Sequence, residues 1–351
     1  MGLKRAAPFL GMVMAECAQA GLIILSKLAM ADGISSFVFV LYSNAIAALV
    51  LFPISFIVHR FSSRPPFTLP VLGGFFMLGV LGCAAQVSGY AGINISSPTL
   101  GTAMLNLIPG FTFVLAVIFS MERLDTRSSY TLAKSVGTIV SIIGAFVVTL
   151  YKGPPILGSH SPSNLSGEFL VTQQSNWVLG GCLLVVDCIM AASWLILQAS
   201  ILKKYSAELV MVFFYCFFVA IQSAVICLVL EIGSKNWSLN SSIRLYSVIY
   251  SGVFGSAFQV GVGTWCLHQT GPVFVAMFKP LGIIITVAIG VIFMGETFYL
   301  GSLMGSFVIV VGFYSVMWGK AKEEAEISSG MNISESTSQK VPLLQNSGEG
   351  P

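Results

Sequence analysis

Charge is the scarcest property of this sequence. Only 9% of its residues are Asp, Glu, Lys or Arg, against roughly 25% in an average soluble domain, which excludes a solvent-facing globular surface over most of the chain. Nucleotide chemistry is missing too: no GxxxxGK phosphate loop occurs, so nothing points to ATP-driven work. Histidines are few and scattered, at His59, His160 and His268, and no His/Cys/Asp/Glu spacing resembles a ligand set. No metal or other cofactor is therefore expected, and the lack of a catalytic constellation argues against an enzyme. All seven cysteines fall inside apolar runs, which leaves no expected structural disulfide. A net charge of +3 is too small to imply a nucleic-acid partner.

What is present is apolar, at 56% of all residues. Stretches of about 20 residues, enough to cross a bilayer as helix, fall near 8–28, 36–58, 70–92, 99–120 and 132–150. A second set falls near 177–201, 208–230, 243–267, 273–293 and 299–318. Backbone polar groups cannot be left unpaired in lipid, so these are helices. The expected fold is all-α and integral to the membrane, with ten transmembrane helices. Lys4-Arg5 before the first run and Ala29-Met30-Ala31 after it imitate a cleavable signal peptide. Glu16 and Gln19 interrupt that run and its later counterpart is internal, so its retention is expected.

The rare polar residues recur. Gln86 and Gln259 stand 173 residues apart (259 − 86), each after an alanine-containing pair and before valine. Tyr42 and Tyr215 share that spacing, as do Met104 and Met277, and Asn106 and Lys279. Glu16-Cys17 echoes in Asp187-Cys188, Pro109 in Pro280, Glu122 in Glu296, and Gly137 and Gly144 in Gly305 and Gly312. Such recurrence reads as two homologous halves: residues 1–150 and 177–319 as five-helix repeats, 151–176 as a non-cytoplasmic linker, and 320–351 as a disordered cytoplasmic tail. Five helices is an odd number, so the halves cross the membrane in opposite senses, with a site near the midplane where they meet. With both termini cytoplasmic, the inner side holds Lys4, Arg5, Arg60, Arg64, Arg123, Arg127, Lys134, Lys203, Lys204, Lys320 and Lys322, and the outer side only Lys27, Lys152, Lys235 and Arg244. The sequons at Asn94, Asn164, Asn236 and Asn240 then face outward and Asn332 inward; Asn164 has the most room for a glycan.

Ionisable residues inside a span are costly and usually face an interior or a wet cavity. Glu16 shares its helix face with Gln19 and Lys27, and Asp187 shares its own with Trp194 and Gln198. Glu16, Gln19, Gln86, Asn106, Asp187, Trp194, Gln198, Gln259 and Lys279 are the candidate substrate-binding residues. Competing readings are an ion pair between Lys279 and an acid, interhelical hydrogen bonding for the amides, and snorkelling for Lys27. Pro109 and Pro280 interrupt the fourth and ninth spans beside Asn106 and Lys279, where a freed carbonyl lets a helix bend; they are candidate gates, with simple packing kinks as the rival reading.

These residues carry a resemblance. The run GVIFMGETFYLGSLMGSFVIVVGFYSVMWGKAKEE resembles the closing part of an EamA module of the drug/metabolite transporter superfamily. SSPTLGTAMLNLIPGFTFVLAVIFSMERLDTRSS, GAFVVTLYKGPP, GPVFVAMFKPLG, AECAQAGLIILSKLAM, VLYSNAIAALVLFP and WCLHQTGPVF together resemble the plant walls-are-thin-related, nodulin-21-like family, also called UMAMIT. The resemblance covers nearly the whole chain up to Lys322. It implies two inverted five-helix repeats, no ATP use, and movement of amino acids or, in some members, auxin-like weak acids. Many members have an arginine after the second-span tyrosine where this chain has Ser43, so no role of that arginine carries over.

The expected function is a carrier of small organic solutes working by alternating access, with amino acids first and an auxin-type weak acid as the alternative. A channel, or a membrane receptor or enzyme, would be the rivals from other classes. Two acids and one base in one cavity would suit a zwitterion. Glu16 and Asp187 are the candidate proton carriers, although facilitation without proton coupling is the expected mode. The lipid bilayer and a small-molecule substrate are the expected partners, with proton coupling possible in principle, and the sequence does not fix the oligomeric state. The plasma membrane is the expected residence and the vacuolar membrane the alternative; Leu343-Leu344 is a weak sorting signal because Gln339 stands where an acid is wanted.

Overall fold

The structure is a computed structural model that describes residues 2–60, 68–95, 101, 104–119, 121, 129–151, 153–157, 170–230, 237–279, 281–282, 284–285, 288–289, 298–301, 303–316, 318–319 and 322. The first half contributes α1 (Gly2–Ala31), α2 (Ser36–Arg60), α3 (Leu69–Ile95), a 3-10 turn at Leu105–Leu107, α4 (Ile108–Ile118) and α5 (Ser129–Leu150). The second contributes α6 (Leu170–Lys204), α7 (Glu208–Leu230), α8 (Ser242–Thr270), α9 (Pro272–Ala276) and α10 (Leu303–Val316). Gly271, at φ +87°, ends α8 and Pro272 opens α9, because a left-handed residue closes a helix cheaply and a proline starts one without losing a hydrogen bond.

Among the described residues α1, α2, α3, α6, α7 and α8 are long and apolar enough to cross a membrane, while α4, α5 and α10 are shorter apolar helices. The expected ninth span is described only in pieces, so the count of ten crossings rests on the sequence. Among the described residues the fold is helical except for one antiparallel ribbon, in which β1 (Pro155–Leu157) pairs with β2 (Phe298–Tyr299). It ties the segment after α5 to the segment before α10. Two boundaries differ from expectation. Helix α6 begins at Leu170, inside the stretch expected to be linker, and the fourth span is broken by the turn at Leu105–Leu107. The rest of the linker from 158 to 169, with Asn164, lies outside the described residues, as do Glu122, Glu296 and, Lys322 apart, the tail.

Helices pair across the halves rather than within them. α3 packs chiefly on α6, α1 on α8 and α2 on α7, while α4 packs on both α6 and α9. Since α1 and α6 are repeat mates, and so are α3 and α8, each pairing maps onto another: the pattern of a pseudo-two-fold axis between inverted halves. The α5–α10 crossing has the same symmetry. A Cβ built on Gly137 would lie 2.6 Å from the Gly312 carbonyl oxygen, and one on Gly144 would lie 2.9 Å from that of Gly305. Only glycine admits backbones so close. Outward, apolar side chains such as Leu49, Ile57, Phe307 and Tyr314 stand exposed, a surface stable against lipid rather than water.

Candidate functional site

Where the halves meet, α1, α3, α6, α7, α8 and the α9 segment enclose a cavity of about 220 Å³, far above the ~10–15 Å³ that admits one water. Glu16, Gln19, Gln86, Asp187, Trp194, Gln198, Gln259 and Lys279 all line it. The side chain of Asn106 and the whole of Pro280 lie outside the described residues. Pro109 faces away from this cavity, into a small void shared with Thr138, Ser141 and Met277.

Among the described residues the charged groups of the site form one ion pair. Lys279 Nζ lies 2.9 Å from Glu16 Oε1, with the Glu16 side chain 2% exposed and that of Lys279 17%. Gly282 leaves room behind it: a Cβ there would meet Glu16 Oε2 at 3.0 Å. Phe9 and Phe274 pack on Phe278, next to the lysine, at centroid distances of 5.4 and 5.1 Å, and Phe313 at 5.0 Å. These edge-on rings anchor the lysine's segment against α1 and α10. Asp187 enters from α6 over Gly89, where a Cβ would approach its Oδ2 to 2.8 Å. It makes no hydrogen bond among the described residues.

Breaks in the fourth and ninth spans place these groups. Phe278 N donates to Val275 O at 3.3 Å and Leu281 N to Phe278 O at 3.0 Å. That three-residue step carries Lys279 out of α-helical register. The turn at Leu105–Leu107 occupies the equivalent place in the first half, so the breaks are repeat mates. Cys188 donates to the Met104 carbonyl at 3.0 Å, which satisfies an oxygen just before the break and ties it to α6. Pro109 is in the first turn of α4, where its missing N–H costs nothing. The bend therefore precedes the proline instead of falling on it.

Neutral polar groups fix the rest of the wall. Asn44 Nδ2 donates to Gln86 Oε1 at 2.8 Å, and Gln86 Nε2 donates to Tyr215 Oη at 2.8 Å. With its oxygen already accepting, the Tyr215 hydroxyl keeps its proton to donate. Gln198 Nε2 donates to Thr264 Oγ1 at 2.7 Å, while Gln198 Oε1 and Trp194 Nε1 are buried without partners among the described residues. The Trp194 and Tyr215 rings stand 5.3 Å apart. Gln19 and Gln259 make no hydrogen bond among the described residues. Asn44, Tyr215 and Thr264 were missing from the sequence-derived site. The Tyr42–Tyr215 repeat was the one available signal, and the mates diverge, since Tyr42 donates to Trp237 O at 3.1 Å.

Elsewhere the polar contacts are structural. Lys27 Nζ donates to the carbonyls of Ile93 and Asn94, each at 2.9 Å, capping α3. At the same end Arg244 reaches Asp32 Oδ2 at 3.0 Å and Ser238 O at 3.1 Å. A hydrogen bond from Ser241, with help from Arg244, holds the Asp32 carboxyl below its usual range. At the opposite end His268 Nδ1 meets Glu208 Oε1 at 2.6 Å.

Comparison with known proteins agrees with this architecture. Residues 8–150 and 178–318 each match the EamA-like transporter family. WAT1-related protein At3g28050 of Arabidopsis thaliana is 42% identical, over 96% of this chain and 95% of its own. WAT1-related protein At5g40240 of the same plant is 44% identical, over 90% and 88%. A solved crystal structure shares the fold with a TM-score of 0.63, at 14% identity, over 91% of this chain and 99% of the other. Two matched repeats, lipid-facing helices and relatives aligned over nearly their whole length lead to one conclusion: the chain is an integral multi-pass membrane protein that belongs to the EamA-like transporter family, beside the WAT1-related proteins.

Proposed function

We propose that this transporter is a carrier of amino acids, working by alternating access of the cavity between its halves. One observation carries the reading: two carboxylates and one ammonium group, from Glu16, Asp187 and Lys279, line a single cavity. An amino acid presents the matching charges, while Trp194 and Tyr215 offer apolar faces to a side chain. A weak acid of auxin type would use Lys279 and have no need of two acids. Alternating access is supported by the inverted pairing of helices and by the mated breaks beside the site. Positive loop residues favour cytoplasmic termini, and the plasma membrane is the proposed residence.

Purified protein in ATP-free proteoliposomes tests the proposal against a panel of labelled amino acids and an auxin-type acid. Saturable uptake, stimulated by unlabelled amino acid on the far side, is the expected result. Flux of the weak acid alone would overturn the amino-acid assignment, and flux that neither saturates nor is trans-stimulated would indicate a channel.

A further inference from the structure

The two acids of the cavity are repeat mates in different circumstances. Glu16 is sealed against Lys279 at 2.9 Å. Asp187 is half-buried on the same cavity, over the backbone of Gly89 and without a hydrogen bond among the described residues, so that Lys279 acts on it through its field and not through contact. Sequence explains the difference: the repeat mate of Lys279 is the uncharged Asn106. The ion pair that the sequence offered as a competing reading is present, on Glu16, and among the described residues it leaves Asp187 as the acid without a contact partner.

That arrangement has a consequence for binding. Among the described residues an arriving ammonium group finds Asp187 without a direct partner, whereas an arriving carboxylate finds Lys279 already in contact with Glu16. Building on the amino-acid reading above, we infer that binding is an exchange of partners in which Asp187 takes the substrate ammonium, the substrate carboxylate displaces Glu16 from Lys279, and the displaced Glu16 takes a proton from water. One proton then travels with each amino acid, so the carrier is a proton symporter and not the facilitator expected from the sequence.

The charge balance drives the last step. With both acids ionised and Lys279 charged, the empty cavity carries a net charge of −1, and a zwitterion leaves that sum unchanged. Once Lys279 has turned to the substrate, Glu16 is a buried carboxylate without a partner, and neutralising it by protonation is less costly than keeping its charge. Its surroundings offer no substitute cation among the described residues. From α6 and α7 the cavity receives Asp187 and Tyr215, and from α3 Tyr90. From α8 come Ser256 and Gln259, while Cys266 and Tyr250 are committed to the Pro8 and Ala18 carbonyls of α1. Cys17, next to Glu16 in sequence, is exposed.

Proteoliposomes loaded with a pH dye, and an amino acid that the wild type exchanges, test the inference. The wild type should accumulate the amino acid against its gradient when the outside is acidified, with one proton entering per molecule. Glu16→Gln should lose that accumulation and the associated proton flux. It should also show a KM lower than the wild type and independent of pH, because the competitor for Lys279 is gone. Asp187→Asn should do the opposite and raise KM roughly tenfold or more, as loss of a hydrogen bond to a charged group does. Proton-driven accumulation retained in Glu16→Gln, or an unchanged KM in Asp187→Asn, would overturn the inference. If Glu16→Gln is not monodisperse, the proton-to-substrate ratio of the wild type decides: a ratio near one supports the exchange and a ratio of zero refutes it. A wild type that moves no amino acid at all would instead refute the reading on which the inference rests.

Discussion

At the crossing of α5 and α10 a single methyl group should be costly. A Cβ on Gly312 would run into Ser141 Oγ, would lie 2.6 Å from the Ser141 backbone nitrogen, and would lie 2.7 Å from the Gly137 carbonyl oxygen. Backbone atoms cannot rotate aside, so the helices must part. Overpacking of this kind costs about 1–3 kcal/mol. Alanine recovers about 0.5–1 kcal/mol over glycine inside a helix, so with both terms near mid-range the net loss for Gly312→Ala is roughly 1–2 kcal/mol. The molecule contains its own control. Gly181, in α6, has nothing within 4 Å of the same added atom, and Gly181→Ala should keep the helix-propensity gain. With about 2–4 °C per kcal/mol for a chain of a few hundred residues, melting followed by size-exclusion chromatography in detergent should move down by roughly 2–8 °C for Gly312→Ala. Gly181→Ala should move up by a few degrees at most. Adding Gly137→Ala to Gly312→Ala should cost less than the sum, since the helices have already separated. Equal melting points for the Gly312 and Gly181 variants would refute the close crossing.

Lys279→Ala strands the sealed Glu16 and should destabilise by about 3–5 kcal/mol, whereas Glu16→Gln combined with Lys279→Met should recover most of that loss. A double variant as unstable as Lys279→Ala alone would refute the pairing. If both termini are cytoplasmic, Asn164 carries a glycan removable by glycosidase and the tail stays protected from protease added to intact cells; a tail cut from outside would reverse the topology.

The sequence exposed the parts of this molecule that lipid makes conspicuous. A charge or amide inside a span is expensive, so the few that occur stand out, and their recurrence revealed the halves before any helix was placed. Glu16, Asp187, Lys279 and the four glutamines were legible for that reason. Asn44, Tyr215 and Thr264 were not, because short neutral polar residues are common in spans and only packing decides which way they face. Lys27 illustrates the same limit from the other side: its helix stripe suggested the site, yet it caps α3 because that helix happens to end within reach. The prolines marked the broken spans, but the break itself lies one turn before Pro109, where no residue type announces it.

Helix α8 contains a π-helical stretch, Ser251–Gln259, for which nothing in the periodicity gave warning, and its repeat mate α3 is continuous over Leu69–Ile95. Wide turns of this sort often mark functional places, and this one presents Gly255, Ser256 and Gln259 to the cavity. The consequence is kinetic. If the halves were true duplicates, a two-fold rotation would turn the inward-open form into the outward-open form and a solute would meet the same site from either side. With a wide turn in one half alone, the two forms have different walls, so half-saturating concentrations should differ between influx and efflux. Detailed balance still ties the ratios of maximal rate to half-saturation when no gradient is present. The molecule can thus bind weakly where its solute is plentiful and tightly where it is scarce, without any change in where equilibrium lies.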